Sequence, residues 1–221
     1  MYIALEGIKG VGKSTLLAHL RDWLDRANID YQLLSPTKPM PAHLWWEELA
    51  TIARFEQDDQ FRQALYAARS NYHAAQINFE RGLVLGDRSI LTSMVTRWDQ
   101  TQRLGISPRH YVDYVRRIEW VIPLPDHVIL LDVSDEVLLP RLAARQRYYG
   151  KQDECLERLH AARAAYHALE EHADCLGLSS IRWHHLDGNR SLHELVDCIG
   201  RRIVLMLAQQ YQPDISTRLY S

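Results

Sequence analysis

Short apolar runs alternate with longer amphipathic stretches from the start of this 221-residue chain. Tyr2-Ile3-Ala4-Leu5 is a continuous apolar run, which predicts a short buried strand. The period then changes: Leu16, Leu17, Leu20 and Leu24 recur at helical spacing with Arg21, Asp22 and Asp25 between them, predicting a helix to about Asn28. Tyr31 to Leu34 reads as a second strand. Ser35 to Pro41 holds three prolines and is expected to be an irregular loop, because proline cannot donate to a ladder and restrains the residue before it. From His43 to Arg81 the pattern is mainly helical, in two or three pieces, with Phe61, Leu65, Ala68 and Tyr72 on one face. Gly82 to Gly86 then reads as a buried strand ending at Asp87-Arg88-Ser89.

His127 to Val133 is another apolar run, with the acid Asp132 near its end, and Ile181 to Leu186 is a weaker candidate for the last strand. Between them lie Arg141, Arg145 and Arg147, then Tyr148-Tyr149-Gly150-Lys151 and helix-like sequence through Glu171. Ser191 and Glu194 form a capping box that opens a final helix to about Ala208, with a polar tail over 209–221. Strands alternating with helices imply an α/β architecture, a parallel sheet covered on both faces. With no internal repeat or low-complexity segment, residues 1–221 are expected to form a single domain.

The turn after the first strand carries the chemistry. Gly7-Ile8-Lys9-Gly10-Val11-Gly12-Lys13-Ser14 fits G-x-x-x-x-G-K-[ST], and Thr15 follows on the helix. Such a loop directs backbone N–H groups at a phosphate chain; Lys13 supplies charge to the β- and γ-phosphates and Ser14 offers a hydroxyl to Mg²⁺. The pattern predicts binding of ATP or a related triphosphate. Asp87, at the carboxyl end of a buried strand, is placed to hold Mg²⁺ or polarise an acceptor, and Arg88 beside it to grip an acceptor phosphate.

Composition narrows the partners. A net charge of −2 argues against a nucleic-acid or membrane surface working by bulk electrostatics, which leaves small molecules. Cys155, Cys175 and Cys198 are odd in number and lack C-x-x-C spacing, so neither a disulfide framework nor a zinc site is indicated, and a reducing cytoplasm is expected. No signal peptide or membrane-spanning run is read. His184 and His185 are adjacent on a strand and face opposite ways, so joint metal ligation is not expected. Trp45-Trp46 reads as core or oligomer packing.

Taken together, Ile3 to Thr15, Leu65-Tyr66-Ala67-Ala68-Arg69, Glu80-Arg81-Gly82 leading to Gly86-Asp87-Arg88, Pro125-Asp126 leading to Leu131-Asp132-Val133, and the later Arg-rich segment resemble the thymidylate kinase family. The resemblance runs over most of the chain. It implies a P-loop NTPase fold with a five-stranded parallel sheet, transfer of the ATP γ-phosphate to a nucleoside monophosphate, and a homodimer. Residue by residue, it makes Lys13 and Ser14 ligands of ATP and magnesium, Arg88 a contact to the acceptor phosphate, and Arg69 a contact near the acceptor base or phosphate. It places Arg141, Arg145 and Arg147 at a lid, about residues 141–155, with Arg145 or Arg147 stabilising charge during transfer. Gly188 and Asn189 match a loop near adenine.

The pattern breaks on the acceptor side. Where the family carries a carboxylate at the third loop position, which accepts from the sugar 3′-hydroxyl, this chain has Lys9, and an ammonium cannot accept. The stacking aromatic is replaced by Leu65; Ala-Tyr-Gln becomes Val95-Thr96-Arg97; Arg-Glu-Pro becomes Thr37-Lys38-Pro39. Lys9, with Lys38 and Arg97, would favour an acceptor with more, or differently placed, negative charge. Three readings follow: a kinase of dTMP or a related nucleotide, a kinase of a nucleoside or specialised metabolite on the same fold, and a nucleotide-binding regulator or inactive paralogue.

Overall fold

The computed structural model describes residues 1–41, 59–144 and 155–211. Five strands form an all-parallel sheet in the order β2-β3-β1-β4-β5: β1 Tyr2–Glu6, β2 Tyr31–Leu34, β3 Leu83–Asp87, β4 His127–Asp132 and β5 Arg182–Asp187. Each lies within a residue of its predicted span. The central β1 is buried throughout because alternate residues enter two different cores. Ile3 and Leu5 pack with Leu16, Leu20 and Leu24 of α1 (Lys13–Arg26) and with Leu195, Ile199 and Ile203 of a later helix. Tyr2 and Ala4 point the other way, toward Leu91, Met94, Val112, Val115 and Leu169. Each fully buried leucine contributes about 1.5–3 kcal/mol.

The remaining helices are α2 (Asp59–Ala74), α3 (Ile90–Thr96), α4 (Trp98–Arg103), α5 (Pro108–Ile118), α6 (Asp135–Ala143), α7 (Leu156–Glu171), α8 (Ala173–Leu176) and α9 (Leu192–Tyr211). The Ser191–Glu194 capping box forms as expected, with Ser191 N–H donating to Glu194 Oε2 at 3.0 Å and Glu194 N–H to Ser191 Oγ at 3.3 Å. It opens α9, which runs through Tyr211, so the helix extends beyond Ala208 into the expected tail. At α1 the opposite happens: the helix stops at Arg26 and Asn28 turns out with φ 55°.

On α2 the expected face is rotated. Leu65 is buried, but the other withdrawn residues are Ala67, Ser70 and Ala74. Asn71 ties the helix to the end of α5, donating to Ile118 O at 2.8 Å and accepting from Val121 N–H at 3.1 Å. Helices α3 to α5 fill a stretch to which the sequence reading assigned nothing; α5 nevertheless shows its period in Tyr111, Val112 and Val115, all buried.

Candidate active site

Because β2 and β3 lie on one side of β1 and β4 and β5 on the other, the crevice opens beside the carboxyl end of β1, where ligands of open α/β sheets bind. The glycine-rich loop springs from that end. Gly7, Gly10 and Gly12 have φ of 135°, 95° and 104°, a region L side chains rarely adopt. A Cβ on Gly7 would lie 2.2 Å from Leu131 O, so the loop is pressed against β4 as well as turned. Arg141 on α6 fixes its far side, donating from Nη1 to Val11 O at 2.9 Å. Lys13 is buried, with Nζ donating to Gly7 O and Ile8 O at 2.8 Å each. Ser14 and Thr15 are exposed at the first turn of α1.

Asp87 ends β3 in register with Leu5 of β1, which brings it beside the root of the loop. Arg88 follows with φ 80°. For a non-glycine residue this conformation costs on the order of 1–3 kcal/mol and needs surrounding support. The support is a residue the sequence reading passed over. Glu6, completely buried, accepts from Ser89 N–H and Ser89 Oγ at 2.7 Å each, from Thr92 Oγ1 at 2.9 Å and from the Tyr166 hydroxyl at 2.7 Å. Burial, then the Glu6 charge, pushes the Tyr166 phenol far above its usual range, which keeps it a donor. Arg88 Nη1 lies 4.0 Å from Glu6 Oε2, donates to Thr92 Oγ1 at 3.1 Å and approaches Gly7 O at 3.5 Å. A guanidinium is thereby set against the first turn of the phosphate loop. Glu6 reads in the sequence as one acid after four apolar residues; only the strand's burial would have marked it.

The ends of β4 and β5 close the other side. Arg163 on α7, also unforeseen, donates to Asp132 Oδ1 at 3.0 Å, to Asp135 Oδ1 at 3.1 Å and to Val133 O at 2.9 Å. Asn189 ties β5 to the start of α6, its Oδ1 accepting from Ser134 N–H at 3.2 Å. Gly188 N–H donates to Asp132 O at 2.7 Å.

The crevice thus has a glycine-lined phosphate cradle, a lysine and a hydroxyl at a helix N-terminus, and an Asp-Arg pair on an adjoining strand. Residues 5–199 match the thymidylate kinase family. The chain belongs to that family. It is 29% identical over 158 residues to a probable thymidylate kinase of Methanosphaera stadtmanae, covering 69% of this chain and 77% of that protein. It is 32% identical over 178 residues to the thymidylate kinase of Leifsonia xyli subsp. xyli, covering 76% and 77%. It is 28% identical over 220 residues to that of Clavibacter michiganensis subsp. michiganensis, covering 94% and 96%. In fold it resembles the deoxyadenosine kinase from M. mycoides solved with bound dATP, with a TM-score of 0.62 at 16% identity over 92% of this chain and 99% of that one. The protein is therefore a phosphotransferase with an α/β P-loop fold, as the motifs imply.

Within this thymidylate kinase-family chain the positions that the sequence marks for an acceptor range from exposed to buried. Lys9 is half-buried in the loop, and Lys38 is exposed after β2, its carbonyl 3.1 Å from His73 Nε2. Arg69 is half-buried, with its guanidinium carbon 5.7 Å from the Tyr66 ring centroid. Leu65 is 6% exposed and Arg97 8%. Near Arg97 sits Glu119, whose carboxyl burial pushes up to about 7, while Ser93, Ser70 and the Arg97 charge pull the other way. Glu119 Oε2 is buried without a hydrogen-bond partner, and neither the sequence reading nor the resemblance pointed to it. Arg145 and Arg147 lie outside the described residues, as do Trp45, Trp46 and the stretch Tyr148-Tyr149-Gly150-Lys151.

The two neighbouring histidines diverge as expected. His184 meets His127, Nε2 to Nδ1 at 3.0 Å, and burial, the largest cause, lowers both, His184 to about 4. His185 faces α7 instead, with Nε2 2.7 Å from Glu170 Oε2.

Proposed function

We propose that this kinase transfers the ATP γ-phosphate in line to a nucleoside monophosphate, dTMP or a related nucleotide. The observation that carries the reading is the placement of Arg88 against the phosphate loop, its Nη1 3.5 Å from Gly7 O and 3.1 Å from Thr92 Oγ1, beside a lysine-bearing cradle. Phosphoryl transfer requires positioning and charge stabilisation more than covalent chemistry by the protein. Gly7, Gly10, Val11, Gly12, Lys13, Ser14 and Thr15 would hold the triphosphate, Arg141 and Asn189 would border it, and Arg88 would bind the acceptor phosphate. Arg145 or Arg147 is proposed as the lid cation, and Lys9, Lys38, Leu65, Arg69 and Arg97 as the acceptor surroundings.

The donors present fit Mg²⁺. Ser14 presents a hydroxyl on the exposed first turn of α1 and Asp87 a half-buried carboxylate, both hard oxygen ligands. These two would hold the ion, which when bound neutralises charge between the β- and γ-phosphates. A homodimer through the α2–α5 side is part of the proposal. Its support is the partly apolar cleft of about 640 Å³ lined by Ala64, Ala67, Tyr114 and Ile118, with Trp120 77% exposed in the loop after α5. A cytoplasmic setting is proposed from three free thiols; no helix among the described residues is long and apolar enough to cross a membrane.

Lys9 and the buried Arg97 favour a second reading, in which the same chemistry serves a nucleoside or specialised metabolite with differently placed charge. A coupled ADP-release assay with Mg-ATP, run against nucleoside monophosphates, nucleosides and sugar phosphates with mass spectrometry of the products, separates the two. Conversion of dTMP to dTDP supports the first. An inert dTMP beside another phosphorylated product selects the second, and no phosphorylated product from any acceptor points to a regulator.

A further inference from the structure

A second cluster of chemically capable side chains lies apart from the Asp87–Arg88 pair, between α7 and the edge strand β5. His167 and Glu170, three residues apart, share one face of α7. His185 projects toward them from β5. Its Nε2 lies 2.7 Å from Glu170 Oε2 and 3.0 Å from Oε1. The His167 and His185 rings stack with centroids 5.9 Å apart and planes within 1°. One ligand atom from each of the three residues falls within 4.8 Å of the other two.

We propose that His167, Glu170 and His185 form a binding site for a divalent cation of the zinc class, which pins α7 to β5. Two imidazole nitrogens and one carboxylate oxygen suit Zn²⁺, with Co²⁺ and Ni²⁺ as related ions, whereas Mg²⁺ takes oxygen donors and keeps its waters. Tetrahedral Zn²⁺ with bonds of about 2.0–2.1 Å sets its ligand atoms roughly 3.3 Å apart. The His185–Glu170 pair already stands at that scale, and His167 and His185 are exposed, so ring rotation brings in the third ligand. Water completes the coordination. A surface hydrogen bond accounts for His185 and Glu170 but leaves the parallel His167 ring without a role; the metal gives it one.

The site matters for the crevice because its helix is one of the crevice walls. Arg163, Tyr166 and His167 line a small cavity with Ile8, Leu131 and Asp132. The residue before His167 is the tyrosine that donates to Glu6, and Arg163 one turn earlier holds Asp132. A cation at His167 would therefore hold in register the helix that supports Glu6 and, through it, Arg88. This inference concerns a resident cation and stands independently of the acceptor's identity.

The test uses the full chain after chelation, titrated calorimetrically with ZnCl₂, with Co²⁺ as a spectroscopic probe. One Zn²⁺ per chain is expected, with visible Co²⁺ bands of tetrahedral type and no displacement by millimolar Mg²⁺. The melting temperature should rise by roughly 5–10 °C at a hundredfold excess of free Zn²⁺ over its dissociation constant. His167→Ala, Glu170→Gln and His185→Ala should each weaken binding by about 100-fold or more, beyond the roughly 10–100-fold that loss of an outer hydrogen-bond partner costs. Circular dichroism of each metal-free variant separates lost ligation from lost fold, and Glu170→Gln keeps the side-chain shape. Absence of stoichiometric binding in the parent chain overturns the proposal. So does undiminished affinity in folded variants, which would place the ion elsewhere.

Discussion

The two halves of the crevice are built differently. On the side proposed for the phosphates, side chains around the glycine loop are held by several bonds: Lys13 by two carbonyls, Arg141 by Val11, Glu6 by four donors. On the side proposed for the acceptor stand a buried arginine, with a carboxyl near it that has one oxygen unpartnered, and a leucine where an aromatic ring is expected. A phosphate chain is the same in every triphosphate, so its cradle can be made of backbone fixed in one geometry. An acceptor varies, and reading it falls to side chains, which can be exchanged without disturbing the sheet. On the proposed assignment, the contrast explains how a chain can keep a family's phosphate loop while differing from it at several acceptor positions.

The strongest way to break this comparison is Lys13→Ala. Turnover should fall by about 10²–10³-fold or more, on the scale of losing a main transition-state donor, with the circular dichroism spectrum unchanged. Near-parental turnover would remove the loop from the mechanism. Arg88→Ala sharpens the division between the halves: a loss of about 100-fold in kcat/KM for the acceptor is expected with ATP affinity retained. Steady-state kinetics with each substrate varied in turn checks this, and an equal loss of ATP binding would move Arg88 to the phosphate side.

Glu119, buried near Arg97, gives a pH signature beside the proposed acceptor side. Its folded value of about 7 lies above the ordinary 4.5, so the stability it contributes is full below about pH 4.5 and is lost as pH rises through 7. Glu119→Gln should therefore match the parent near pH 4.5 and be more stable near pH 8, by on the order of 3 kcal/mol at most. Denaturant melts at the two pH values decide it. Glu6→Gln tests the other side: replacing an acceptor-only group with an amide sets an N–H against existing donors, costing about 1–3 kcal/mol of stability and raising the acceptor KM more than that of ATP. The smallest effect is expected from Lys9→Asp, roughly a tenfold shift of preference between dTMP and a more highly charged acceptor, or about 1.4 kcal/mol. If dTMP is phosphorylated well by the parent and this variant abolishes it, Lys9 is part of dTMP recognition and not a sign of a different acceptor.

Much of the frame was legible because it rests on local rules. The five strands announce themselves as apolar runs, the phosphate loop as glycines at fixed spacing, and the start of α9 as a serine with an acid three residues on. The same rules separated His184 from His185, since adjacent strand residues point to opposite faces. They did not reach α2's true buried face, which tertiary packing decides, nor the short α3 and α4, whose seven and six residues leave little room for a period.

The site divides along the same line. Sequence by itself pointed to the glycine loop, Lys13, Ser14 and the Asp87–Arg88 pair as the proposed site, because a motif is a spacing between neighbours in the chain. Only the tertiary structure decided the roles of Glu6, Arg163 and Glu119 and the meeting of His167 with His185. Glu6 and Tyr166 are 160 residues apart and bond at 2.7 Å because two elements pack together. A hydrogen bond of that kind is set by distance in space, and no spacing along the chain records it.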